Sequence, residues 1–69
     1  MESPYFSVQL RGYDRQQVDR AIERIRTAIE LGSPPHPDSI VSLEFQRTLR
    51  GYDRYQVDEY LQDIADNLK

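Results

Sequence analysis

The sequence predicts an α+β fold, mainly α, in which a unit of extended arm, glycine corner and amphipathic helix is used twice and the two helices pack as a pseudo-dimer. Three observations carry this. First, residues 10–19 and 49–58 spell the same ten-residue phrase with one change, Gln16 against Tyr55, so that Gly12 answers to Gly51. Phe6 matches Phe45 ahead of the phrase, and Ile22 and Ile25 match Leu61 and Ile64 behind it. Second, the apolar residues after each phrase recur at helical spacing. Third, a Gly-Ser-Pro-Pro-His-Pro-Asp-Ser run at 32–39 separates the copies. So short a unit cannot bury its apolar face alone and needs its copy. Residues 1–69 therefore form one domain, with repeat 1 at 5–31, a linker at 32–39 and repeat 2 at 40–69.

Residues 1–5 are a polar lead-in containing Pro4. Phe6, Val8 and Leu10 then alternate with Ser7 and Gln9, the period-two habit of a half-buried strand or extended arm. Gly12 and Gly51 are read as tight corners of positive φ. Asp14 and Asp53 follow as N-caps, their carboxylates accepting from free N–H groups of the first helical turn. Gln17 and Gln56, three residues on, complete a capping box by reaching back to the cap's own N–H. Tyr13 and Tyr52 stand at N′ with Val18 and Val57 at N4, the spacing of a hydrophobic staple.

The first helix is expected over 15–31, with Val18, Ala21, Ile22, Ile25, Ala28 and Ile29 forming one stripe. Gly32 at C′ and the Pro34-Pro35 pair end it. The proline-rich linker is expected to be stiff and extended. Residues 40–43 admit two readings, a turn of helix capped by Asp38 or Ser39, or the start of a strand. A strand over 42–49 is preferred, because the two arms are then able to pair. The second helix, over 54–69, repeats the stripe with Val57, Tyr60, Leu61, Ile64, Ala65 and Leu68. The seams Val18–Ile22–Ile25–Ile29 and Val57–Leu61–Ile64–Leu68 have coiled-coil spacing. Over two heptads an ordinary intramolecular helix pair is preferred to a long coiled coil. The chain between Leu31 and Asp53 is long enough to run back along a helix, so parallel packing is open.

With 69 residues, 38% of them hydrophobic, and neither Cys nor Trp, the core must be thin. Extra burial in a homo-oligomer is a reasonable expectation. No signal peptide is visible, and no stretch approaches the ~18 apolar residues of a spanning helix. The expected location is cytoplasmic, with any membrane contact peripheral. A net charge of −3 argues against a nucleic-acid partner, since phosphate binding rests on a clustered basic face. The first helix sets Arg15, Arg20, Arg24 and Arg26 against Asp19, Glu23 and Glu30, whereas the second sets Arg54 and Lys69 against Asp58, Glu59, Asp63 and Asp66. These opposite signs weakly favour packing one helix on the other.

Nothing points to catalysis. The one histidine, His36, is wedged between Pro35 and Pro37, there is no Cys, and the carboxylates lack metal-ligand spacing against a His. The three glycines occur singly, so no phosphate-cradling loop is present. The expectation is no enzyme, no catalytic residue, no cofactor and no metal.

The phrase itself, Phe-x4-Arg-Gly-Tyr-Asp-x3-Val-Asp-x2-(Leu/Ile), resembles the N-terminal signature of the DivIVA family, bacterial cell-division and cell-pole scaffold proteins. Repeat 2 also carries Pro37, Ile40 and Phe45 at the spacings of that family's Pro-x-x-Ile-x4-Phe lead, which repeat 1 lacks. The resemblance implies a small dimeric module that concentrates on negatively curved membrane and docks protein partners, inserting an apolar residue beside an arginine; an anionic membrane surface is a possible partner. Carried over by position, the insertion pairs are Leu10 with Arg11 and Leu49 with Arg50. This chain departs from the pattern in having leucine where an aromatic residue is common, no long coiled-coil tail after Lys69, and two copies in one chain. The last departure implies that one chain supplies both halves of what is elsewhere a homodimer.

The expected function is a scaffold or adaptor in bacterial division or polar growth. The alternative is a small cytoplasmic regulatory adaptor that binds one protein through its helix faces and has no membrane role. Beside the resemblance, Leu10 and Leu49 also read as core residues of the arms, and Arg11 and Arg50 as local partners of Asp19, Asp58 or a cap. Tyr55 reads as an exposed helix-surface tyrosine.

Overall fold

The structure is a computed structural model describing residues 6–69. The lead-in expected over 1–5, with the first residue of repeat 1, lies outside the described residues. β1 (Val8–Tyr13) runs into α1 (Arg15–Glu30), a short α2 (Pro37–Val41) follows, and β2 (Arg47–Tyr52) runs into α3 (Arg54–Asn67). The described residues are mainly helical, with one two-stranded sheet.

Local chemistry starts and stops the long helices as expected. The Asp14 carboxylate accepts from the Gln17 N–H at 3.1 Å, and the Asp53 carboxylate from the Gln56 N–H at 3.2 Å. Gly32, at φ 80, ends α1. Its N–H donates to the Ile29 carbonyl and the Ser33 N–H to the Ala28 carbonyl, the double bond of a Schellman motif.

The linker differs from expectation. Pro37 takes the first helical position, where its missing N–H costs nothing, and the His36 Nδ1 accepts from the Asp38 N–H at 3.1 Å. The stretch is thus partly helical, capped by His36 rather than by Asp38 or Ser39, and β2 starts at Arg47 instead of residue 42. Ile40 supplies the physical reason: the turn places its side chain in the core at 1% exposure.

Along the sheet, partner numbers rise on β1 as they fall on β2. Val8 faces Tyr52, Gln9 faces Gly51, Arg11 faces Leu49, Gly12 faces Thr48 and Tyr13 faces Arg47, an antiparallel register. Tyr13 also faces Tyr52. Straight strands would hold Val8 and Tyr13 roughly 16 Å apart, yet both meet Tyr52. Both arms are therefore bent. Val8, Tyr13, Arg47 and Tyr52 lie at one level and Gln9, Gly12, Thr48 and Gly51 at the next, with Leu10, Arg11, Leu49 and Arg50 at the apex.

The bends are not the glycine corners expected at Gly12 and Gly51. Of the glycines only Gly32 has positive φ, and in the second arm it is Arg50 that adopts it, at φ 59. Gly12 and Gly51 serve close approach instead. A Cβ on Gly12 would lie 2.6 Å from the Gly51 carbonyl carbon, and one on Gly51 would lie 2.5 Å from the Tyr13 carbonyl oxygen. The backbones of the two arms are in contact there, and only hydrogen fits.

α1 and α3 both start below the base of the arms and run away from the apex. Sixteen helical residues span about 24 Å and three levels of arm about 10 Å, which accounts for the 36 Å length of the molecule. One cluster forms the core: Val18, Ile22, Ile25, Ile40, Val57, Leu61 and Ala65. The expected seams hold only in part. Ile29 is 39% exposed, Ile64 and Leu68 are half-buried, and Ala65 takes the fully buried place. α2 is the reason: its close packing on α3 brings Ile40 into the cluster, so three helices fill it and the seam stops at Ile25.

The glycine contact sets a measurable contrast. Gly51→Ala is expected to lower the unfolding free energy by about 3 kcal/mol, the upper range for overpacking. Gly32→Ala, with nothing within 4 Å, should cost about 1–2 kcal/mol through left-handed strain alone. Urea midpoints check this; equal losses would show that the arms can part without penalty.

Candidate functional site

The residues that hold the arms are those of the repeated phrase, and they act across the molecule. The Asp14 N–H donates to the Gln46 carbonyl at 2.8 Å, and the Gln46 N–H donates to Gln17 Oε1 at 2.8 Å. In the other half the Asp53 N–H donates to the Ser7 carbonyl at 2.8 Å, and the Ser7 N–H donates to Gln56 Oε1 at 2.7 Å. The capping boxes expected of Gln17 and Gln56 are therefore absent. Each cap N–H is taken by a carbonyl of the opposite arm, which leaves each glutamine free to accept from the amide of that same residue. At about 1 kcal/mol net per bond, these four bonds fix both arms on both helix starts.

The tyrosines reach across as well. Tyr13 stacks on Phe45 with centroids 5.2 Å apart and donates its hydroxyl to the Asp58 carboxylate at 2.9 Å. Tyr52 stacks on Phe6 at 5.2 Å and donates to the Asp19 carboxylate at 2.9 Å. Burial, then the hydroxyl-to-carboxylate bond and the carboxylate's charge, raise both phenol pKa values above the ordinary 10.0. Asp19 and Asp58 are thus bound to hydroxyls, and neither forms an ion pair with Arg11 or Arg50 among the described residues.

At the apex the structure brings together Leu10, Arg11, Leu49 and Arg50. Leu10 is 78% and Leu49 66% exposed, which corrects the reading of both as core residues of the arms. The cause is the bend, which carries them beyond the last level of paired backbone, where no helix reaches. Tyr55, 73% exposed, is the surface residue expected. Below the apex on one flank, Arg11, Arg47, Thr48, Leu49 and Arg54 line a hollow of about 320 Å³. The sequence reading overlooked Arg47 and Thr48 here. The signal was available, since Arg47 stands where repeat 1 has Val8, a change from apolar to charged in the stretch where Ser7, Val8 and Gln9 correspond to Gln46, Arg47 and Thr48.

No group of three or more His, Cys, Asp or Glu able to hold a metal occurs among the described residues. No helix among them is long and apolar enough to cross a membrane. No protein-family model, curated protein or solved structure matches the chain.

The tyrosine pairs predict an alkaline limit. Because the folded phenols hold their protons more tightly than unfolded ones, their contribution to stability is complete below about pH 10 and is lost as pH rises through the raised values. The melting temperature should fall on going from about pH 9 to pH 11, and Tyr13→Phe with Tyr52→Phe should flatten that fall. An equally steep fall in the double variant would assign it to other groups.

Proposed function

We propose that this chain is a non-catalytic interaction module of DivIVA type, a scaffold or adaptor for bacterial division or polar growth, and that it docks through the apex of its two arms. On this reading each repeat is an arm and a helix, and the two repeats close on one another as the halves of a pseudo-dimer. Support comes from the contacts that recur in both halves: cap to opposite arm, glutamine to opposite amide, tyrosine to opposite carboxylate. The observation that carries the functional reading is the gathering of Leu10, Arg11, Leu49 and Arg50 at one exposed end.

Magnitudes say what kind of docking this is. Burying two leucines contributes about 1.5–3 kcal/mol each, and two arginines near an anionic surface about 1 kcal/mol each. That gross sum of roughly 5–8 kcal/mol is offset by the lost freedom of association. A single module therefore binds weakly, and strong attachment to a membrane or a division-site protein needs several modules acting together.

Replacing exposed residues leaves the fold nearly untouched, within about 0.5 kcal/mol. Leu10→Glu with Leu49→Glu should accordingly keep wild-type helicity by circular dichroism while abolishing salt-sensitive co-sedimentation with anionic vesicles. Loss of helicity would show these leucines to be structural. Wild-type protein that ignores the vesicles at low salt would remove the membrane from the reading.

A further inference from the structure

The hollow below the apex has a chemistry of its own. Arg11 comes from β1, Arg47 from β2 and Arg54 from the first turn of α3, so three segments bring three arginines to one concavity. No carboxylate lines it. Among the described residues no ion pair engages any of the three. The nearby carboxylates are committed elsewhere: Asp53 caps α3 and accepts from Gln9 Nε2 at 3.1 Å, and Asp58 takes the Tyr13 hydroxyl. In a chain with 12 acidic against 9 basic residues, three arginines around one hollow with no ion-pair partner among the described residues are not a by-product of composition. At the corresponding positions of the other half Val8 stands in place of Arg47, which leaves only Arg15 and Arg50.

We propose that this hollow binds a phosphate group, and specifically a phosphomonoester. Guanidinium forks match phosphate oxygens two bonds at a time, and a monoester carries close to two negative charges and three terminal oxygens near neutral pH. Three arginines meet that charge and geometry, with the Thr48 hydroxyl beside them; a diester offers one charge and fewer free oxygens. Among the described residues this is the three-arginine hollow, and the corresponding positions of the other half lack the third arginine. The inference deepens the apex reading and rests on it for the ligand's place, not for its chemistry. The phosphate arrives on a soluble small molecule or as a lipid headgroup.

The test titrates the whole chain with phenyl phosphate at ionic strength held constant with sodium chloride, following backbone amide shifts by NMR. Saturable one-to-one binding is expected, with shifts at Thr48, Leu49 and Arg54. Arg47→Gln and Arg54→Gln should each weaken it about tenfold, and Arg24→Gln, outside the hollow, should leave it unchanged. Absence of saturation, or equal weakening by Arg24→Gln, overturns the site even where leucine-dependent vesicle binding persists. Flotation with phosphatidic acid vesicles, with phosphatidylglycerol as the diester control, then separates the sources. Preference for phosphatidic acid that is lost in Arg47→Gln assigns the site to a headgroup. Phenyl phosphate binding without vesicle binding assigns it to a soluble phosphate, so that the site stands while the membrane reading falls.

Discussion

Backbone meets backbone where Gly12 lies against Gly51, and the rest of the structure depends on that contact. With no side chain between them, the arms come close enough for each to reach the other's helix. The N–H of each cap residue then finds a carbonyl on the opposite arm, and each glutamine finds an amide. A methyl group at either glycine would push the arms apart and lengthen all four of those bonds together. The apex is held by the same contact, because the arms can bend outward only if their lower levels are fixed.

The polar groups of this small molecule are spent on joining its halves. Among the described residues a core of seven buried side chains, two of them valine and one alanine, is thin. The reciprocal bonds and the two tyrosine-to-carboxylate pairs add directional constraint where area is short. Directionality also explains why bent arms are tolerated. Each departs from regular strand geometry, but its free backbone groups near the base are satisfied by the opposite helix start.

Features governed by neighbours in sequence were legible in advance. Asp14 and Asp53 cap their helices, and Gly32 closes the first, because capping depends on residues within one turn. Val18, Ile22, Ile25, Val57 and Leu61 follow from helical periodicity alone. What failed depended on residues far away. Gly12 and Gly51 look like turn glycines until another backbone is placed against them. Gln17 and Gln56 have the spacing of a capping box, but that spacing does not say whether the cap N–H is already occupied. Leu10 and Leu49 alternate with polar residues as buried strand positions do, and only the bend puts them in water. A turn of helix near Ile40 was one of two readings, but its start was hidden because Pro37 occupies the first helical position, the one that suits it. For the site, the leucine and arginine pairs were visible as a repeated motif, whereas Arg47 joins them only through pairing across the sheet.

On the proposed reading of two repeats closing on one another, one chain also lets its copies differ, which identical subunits of a symmetric dimer cannot do. Tyr60 stacks edge-on against Phe6 with centroids 5.6 Å apart, while its counterpart Ala21 leaves an open hollow beside Phe45. Arg20 and Arg24 border that hollow, where the other half carries Glu59 and Asp63. Arg47 against Val8 is a third such change. All three lie on exposed surface or at its margin, whereas the residues that lock the halves together, Gly12 with Gly51, Gln17 with Gln56 and Tyr13 with Tyr52, are the same in both. The two halves thus agree where they lock together and at the apex, where Leu10-Arg11 matches Leu49-Arg50, and diverge at these flanking positions. A surface that only one half can offer must lie where the repeat breaks, and the arginine hollow, which joins Arg47 to the repeated Arg11 and Arg54, is one of them.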